Sequence, residues 1–155
     1  MLSDRLIRMV ESHADELTRG TVKSLRDSPH ASSYQALTDD DIYERVYRVY
    51  HDLGRWLAAK TDDPLKNWHH QLGKKRFHQG IPLCELVWAL TLTKHFAFDY
   101  IRLYGFADSA LELHQQIELH HLLDHFFDRA VFYTIEGYEH AATVDQRHAA
   151  VVGHS

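Results

Sequence analysis

One segment of the sequence places four potential metal ligands at helical spacing. The set consists of His114, Glu118, His121 and His125. Intervals of four, three and four residues put these side chains on one face of a helix. Glu118-x-x-His121 has the form of the Glu-x-x-His unit in ferritin-like di-iron bundles, but a second such unit is absent. A metal site would therefore need a second subunit to supply further ligands. The alternative is a solvated face or a dimer contact, and both interpretations stay open.

A second set of mixed chemistry lies in the most apolar stretch of the chain. Its members are Trp88, Leu92, His95, Asp99 and Arg102. On a helix of about 100° per residue they lie on the side away from the apolar core arc. His95 and Asp99 are four residues apart, so the carboxylate could hold the imidazolium. We interpret the set as a seam against another helix or a second subunit. The alternative is the lining of a ligand pocket, or a haem ligand at His95.

The chain is histidine-rich but carries no enzyme signature. Fourteen of its 155 residues are histidine, which favours metal or haem binding, or pH sensing. The sequence has no glycine-rich phosphate loop, Ser-x-Gly elbow, His-Glu-x-x-His or Cys-x-x-Cys motif. We therefore predict a protein that is not an enzyme and has no cofactor, with haem or iron as the alternative.

Composition and charge narrow the class of protein. With 45% hydrophobic and 25% charged residues, the chain is typical of a globular domain. A net charge of -5 gives no reason to expect a nucleic acid partner. The single cysteine excludes an intramolecular disulfide and suits a reducing cytosol. The first residues lack the apolar core of a signal peptide, and charges such as Glu85 and Lys94 interrupt the apolar stretch. We predict a cytoplasmic protein without membrane insertion.

Hydrophobic periodicity predicts an all-α fold of about five helices, as an antiparallel bundle or a globin-like stack. The predicted helices cover residues 4–26, 38–59, 64–79, 80–104 and 108–142. The fourth is apolar almost all round and should lie at the centre. We expect one domain over residues 1–143 and a disordered tail over residues 144–155.

The turn before the central helix carries recognisable capping residues. Gly80 is predicted to cap the third helix, and Pro82 to occupy the first position of the next one. Glu85 follows in the first turn, where it is placed to pair with Arg76 across the turn.

Several short motifs occur in a characteristic order. They are Tyr34-x-x-Leu37-Thr38-x-x-x-Ile42, then Gly73-x-x-Arg76-x-x-x-Gly80-Ile81-Pro82-Leu83-x-Glu85-Leu86, and finally Phe127-Asp128-Arg129-Ala130 and Glu136-Gly137-Tyr138-Glu139. Over residues 5–142 this order resembles the N-terminal sensory domain of the RsbR/RsbRD-type stressosome co-antagonists, which is also found before bacterial histidine kinases.

The resemblance implies a dimeric, all-helical bacterial domain for signal transduction. Related sensory domains have a globin-like fold without haem. Such a domain binds a partner or a small signal and biases a regulatory protein or a kinase-type output module. Within the resemblance, Arg76, Gly80 and Tyr138 mark turns and helix contacts rather than chemistry. No output module follows in this sequence, so we expect either a stand-alone partner or a fragment of a longer protein.

Overall fold

The computed structural model describes residues 2–153, and every regular element in that range is helical. The elements are α1 (Leu2–Ser12), α2 (Ala14–Asp27), a 3₁₀ helix (Pro29–Ala36), α3 (Asp39–His51), α4 (Leu53–Ala58), α5 (Asp63–His78), α6 (Leu83–Tyr104) and α7 (Ala110–Val152). The all-α prediction is confirmed. The predicted count of about five helices is wrong, because the described residues form seven α-helices and one 3₁₀ helix.

Two single-residue breaks account for most of this difference. His13, with φ -110° and ψ 22°, separates α1 from α2. Asp52, with φ -102° and ψ 19°, separates α3 from α4. Helical hydrogen bonding resumes at once, since Leu17 N donates to His13 O (3.0 Å) and Trp56 N donates to Asp52 O (3.0 Å). The apolar spacing continues across each break, so periodicity alone predicts one helix where the structure has two.

The central position of the apolar helix is as predicted. α6 packs against α1, α2, the 3₁₀ helix, α5 and α7. Its buried apolar residues include Leu86, Ala89, Leu90, Ala97 and Ile101. No helix within residues 2–153 combines the length and the apolar character needed to cross a lipid bilayer.

The backbones of α5 and α7 approach each other through two glycines. A β-carbon built on Gly73 would lie within 3.0 Å of the Thr134 carbonyl oxygen, and one built on Gly137 would lie within 3.0 Å of the His70 carbonyl oxygen. Real side chains do not come that close to a backbone. The contact between the two helices therefore depends on glycine at both positions.

α5 and α7 run in the same direction, unlike neighbours in an antiparallel bundle. Near the start of α5, the Tyr133 hydroxyl donates to Asp62 Oδ2 (2.8 Å). Near its end, the Phe77 and Tyr138 rings meet edge to face at 5.4 Å. The Tyr138 hydroxyl also donates to Ile81 O (2.7 Å), which ties α7 to the turn after α5.

The turn after α5 has the predicted glycine cap. Gly80 has φ +75°, and no other described residue has a positive φ. Ile81 N donates to Arg76 O (3.0 Å) and Gly80 N donates to Phe77 O (3.0 Å), which are the two hydrogen bonds of a Schellman motif. Pro82 lies just before α6, one position earlier than predicted.

α7 extends further than the sequence pattern indicates. It continues to Val152, so residues 144–152, which we expected to be disordered, are helical in the structure. This segment contains no glycine or proline, and Gln146, Arg147, Ala149 and Ala150 are good helix formers. Its side chains are exposed, which is why the segment shows no apolar face. His154 and Ser155 lie outside the described residues.

Candidate functional site

α6 and α7 run antiparallel, and their contacts set the geometry of the site. Lys94 Nζ lies 2.6 Å from Asp124 Oδ1. One turn further along α6, the Phe98 ring stacks on His120 with centroids 5.0 Å apart and planes 21° apart. The residue numbers of the contacts rise along α6 and fall along α7, which shows that the helices are antiparallel. A groove lies between the two helices beyond these contacts.

This α6–α7 groove combines apolar and ionisable side chains. It is lined by Phe98, Arg102, Leu113, Gln116, Ile117, His120, His121 and Asp124. Leu113 is 53% exposed and Ile117 is 48% exposed. The buried residues of α7 begin only at Leu119, so the first turns of the helix extend past the core. Apolar side chains on those turns therefore lie open to solvent.

The groove brings together one residue from each of the two sets predicted from the sequence. Arg102 belongs to the α6 set, and His121 belongs to the histidine set of α7. The start of the α6 set lies elsewhere. Trp88 is half-buried, and its Nε1 donates to Ser28 Oγ (2.9 Å). Leu92 packs against the core. These two side chains are less available to a partner than we expected.

The expected pair between His95 and Asp99 does not form. Asp99 Oδ1 instead lies 3.3 Å from Arg102 Nη2, one turn along the helix. All three side chains are exposed. A guanidinium is charged at all ordinary pH values, so it competes well with an imidazole for the carboxylate.

The histidine set on α7 faces solvent, as its angular position predicts. His114, Glu118, His121 and His125 are all exposed. His114 Nε2 lies 3.1 Å from Glu118 Oε1. Among residues 2–153, no three His, Cys, Asp or Glu side chains are positioned to hold a metal ion. α6 faces the set only at His121, through Phe98 and Arg102 in the groove, and neither of these is a metal ligand. A metal site shared by two subunits stays a prediction.

The comparison with known families fits this architecture. The model of the RsbT co-antagonist protein rsbRD N-terminal domain matches residues 9–151. The chain belongs to this family. Neither the curated proteins nor the solved structures contain a match. This match confirms the resemblance noted in the sequence. The RsbRD N-terminal family is regulatory and is associated with the stressosome.

In this RsbRD domain, the pKa values of two ionisable side chains beside the groove, Asp124 and His120, are lowered for different reasons. The hydrogen bond from Lys94 lowers the pKa of Asp124, although burial opposes the shift. Burial lowers the pKa of His120, and the neighbouring His121 adds to that effect while Asp124 opposes it. The lowered pKa favours the neutral ring of His120, which can stack on Phe98 without a charge to solvate.

The exposed apolar side chains around the connection between α6 and α7 were not among the residues predicted from the sequence. Leu103, Tyr104, Phe106 and Leu111 are 72%, 62%, 75% and 66% exposed. The available signal was the position of Leu111, Leu113 and Ile117, which are apolar but lie off the core arc of the last helix. Apolar residues off the core arc are candidates for an interface.

The ion pair predicted between Arg76 and Glu85 is wrong. Arg76 Nη1 lies 3.2 Å from Asp41 Oδ1 in α3. Glu85 Oε1 accepts a hydrogen bond from Ser33 N (2.8 Å). The RsbRD domain thus uses both charged residues to fix other elements to the turn, and neither lies near the α6–α7 groove.

Proposed function

We propose that this RsbRD domain is a non-enzymatic input domain that forms a homodimer through the α6–α7 groove and relays a signal to an output module or partner protein. The observation that carries the proposal is the exposure of Leu113 and Ile117 beside the apolar connection between the two helices.

The chemistry of the groove suits a protein interface. Contiguous exposed apolar side chains on a folded domain mark interaction sites. Around Leu113 and Ile117, Arg102 and Asp124 provide charges of both signs. An apolar centre with a charged rim is typical of protein interfaces. A twofold axis would place the same surface of each subunit against the other, and an axis that passes between Arg102 and Asp124 would bring each of them to its complement on the partner subunit.

The continuity of α7 supports the relay. The helix carries the groove at Leu113 and Ile117, the close contact with α5 at Gly137, and the exposed segment 144–152. A displacement at the groove would pass along one hydrogen-bonded helix to the other two regions. The signal would therefore reach a partner as a change in the position of α7.

Light scattering of the purified domain tests the self-association. We expect the mass of a dimer at high micromolar concentration and a dependence on concentration below that. A monomer at all concentrations up to that range would contradict the proposed dimer, although the assignment to the family would stand.

A further inference from the structure

A small cavity lies inside the fold, between the 3₁₀ helix, α3, α5 and α6. Its volume is about 30 Å³. Most of the lining is aliphatic and includes Ile42, Leu72 and Leu86. A space of this size holds one or two water molecules or one small ion.

Two arginines also line the cavity, Arg45 from α3 and Arg76 from α5. Arg76 is 2% exposed. Arg76 Nε and Arg45 Nη1 are both shielded from solvent, and neither has a hydrogen-bond partner. A buried donor without a partner is costly, more so on a charged group. Two residues that carry such donors line one cavity, which favours an acceptor inside it.

The charges around the cavity do not balance. Arg76 shares the carboxylate of Asp41 with Lys75, whose Nζ lies 2.7 Å from Asp41 Oδ1. The Arg45 guanidinium lies over the Trp68 ring, 4.4 Å from its centroid, and no carboxylate forms an ion pair with it in the described part of the chain. Burial lowers the pKa of Arg45 and the positive charge of Arg76 lowers it further, while the carboxylates of Glu44 and Asp41 oppose the shift.

His69, the other ionisable group on the cavity wall besides Tyr34, does not supply the missing charge. Its ring is 1% exposed, and burial lowers its pKa to about 4. The neutral ring donates from Nδ1 to Leu65 O (2.9 Å). The cavity is therefore lined by two guanidinium groups, and a carboxylate forms an ion pair with only one of them, that of Arg76.

We infer that this cavity binds one small monovalent anion, of halide or nitrate size, between Arg45 and Arg76. The two unpaired donors provide charge-assisted hydrogen bonds. An aliphatic lining suits a weakly hydrated ion, whereas a phosphate or sulfate would lose too much hydration with so few donors. The volume excludes larger organic anions. The inference does not depend on the proposed dimer.

Bromide is a suitable probe, because it has the right size and is visible by anomalous X-ray scattering. Thermal unfolding would be followed while sodium gluconate is replaced by sodium bromide at constant ionic strength. We expect the unfolding temperature to rise with bromide and to saturate as for a single site. Gluconate is too large to enter, so an equal response to both salts would overturn the inference.

Arg45→Met tests the assignment of the residues. We expect it to weaken the bromide response at least about tenfold, as for the loss of a charge-assisted hydrogen bond. Arg48→Met is the matched control, because Arg48 is an exposed arginine on the same helix, and its response should match that of the unaltered protein. An unchanged response in Arg45→Met would overturn the inference.

Crystals of the unaltered protein grown in bromide provide a second readout that does not depend on how a variant folds. An anomalous peak between Arg45 and Arg76 is expected. Ordered water in that position, with no anomalous signal, would show that the two donors are satisfied by solvent and would overturn the inference.

Discussion

Gly137 of α7 lies directly against the carbonyl group of His70 in α5, leaving no room for a side chain. The His70 ring also reaches across the same contact, with Nε2 2.5 Å from Glu136 Oε1. The parallel packing of α5 and α7 thus requires a residue without a β-carbon at position 137. The polar contact between His70 and Glu136, one residue away, reinforces the packing.

Gly137→Ala should destabilise the domain by about 1–3 kcal/mol, because the new methyl group forces the two backbones apart. The unfolding temperature should fall by roughly 2–4 °C for each kcal/mol. Gly153→Ala, at the residue that follows the same helix, is the matched control, since the nearest atom to the new carbon is 3.2 Å away. It should change stability by less than about 0.5 kcal/mol. Equal unfolding curves for the two variants would contradict the close-contact argument.

Substitutions at Gly80 measure the cost of a left-handed backbone conformation alone, because a side chain there would not clash with its neighbours. A β-carbon at this position meets no atom within 4 Å, but φ is +75°. Gly80→Ala should therefore cost about 1–2 kcal/mol through backbone strain alone. Gly80→Asn should cost less, because asparagine tolerates the left-handed region. Urea unfolding of both variants measures the difference, and an asparagine variant as unstable as the alanine variant would argue against this explanation.

Asp41 should contribute to stability in a pH-dependent way. Burial raises its pKa, but hydrogen bonds from Lys75 and Gln79 and the charge of Arg76 outweigh burial and lower the pKa from 3.8 to about 2. Because the folded pKa lies below the unfolded one, the contribution is full above about pH 4 and is lost as the pH falls towards 2. We expect a loss on the order of 1–2 kcal/mol over that range.

Asp41→Asn should remove this acid-dependent part of the stability and should also destabilise the domain at pH 7, where Arg76 loses its ion pair. Asp40→Asn serves as control, because Asp40 is exposed and adjacent. Urea unfolding between pH 2 and pH 7 provides the measurement. If Asp41→Asn and Asp40→Asn lose the same amount of stability between pH 4 and pH 2, the hydrogen bonds to Asp41 make no measurable contribution to the free energy of unfolding.

His69 should produce a separate pH dependence at higher pH. Its pKa in the folded state is about 4, against 6.5 for a free histidine. The unfolded chain therefore binds a proton that the folded chain does not, and stability falls as the pH drops from about 6.5 to 4. The loss should be about 2–3 kcal/mol. His69→Gln should flatten this part of the curve, whereas His78→Gln at an exposed site should leave it unchanged. Identical slopes in all three proteins would refute the effect.

The proposed interface can be tested with two substitutions on the same helix. Ile117→Glu places a carboxylate in the α6–α7 groove and should shift the dimer to monomer, with a dissociation constant raised at least about a hundredfold. Leu122→Glu is the control, because Leu122 is 53% exposed but does not line the groove. Light scattering over a concentration series provides the measurement. A dimer that survives Ile117→Glu and dissociates in Leu122→Glu would place the interface on another face.

The parts of the fold that local sequence determines could be predicted. Apolar periodicity identified the helices, and Gly80 identified the turn, because a left-handed residue at a helix end needs no distant partner. The breaks at His13 and Asp52 were not predicted. Each breaks the helix without breaking the apolar pattern, and neither residue is glycine or proline.

The parts of the site that depend on tertiary structure were beyond the sequence. Arg76 pairs with Asp41 in α3 rather than with Glu85 nearby in the chain, and no spacing rule connects α3 with α5. The groove exists because the first turns of α7 extend past the core. The extent of α7 past the core depends on where α6 ends in the folded structure, which the sequence does not give. The positions of Leu113 and Ile117 off the core arc indicated only that these side chains are exposed.

α7 has 43 residues, which corresponds to a length of roughly 65 Å at about 1.5 Å per residue. A folded domain of this size has a radius of gyration of only about 15 Å. α7 is held by the fold up to Ala141, its last buried residue, and projects from there to Val152. The projecting part is about 16 Å long, so a tilt of about 10° would move its end by about 3 Å. Small changes in packing near Gly137 would thereby be amplified at the end of the helix.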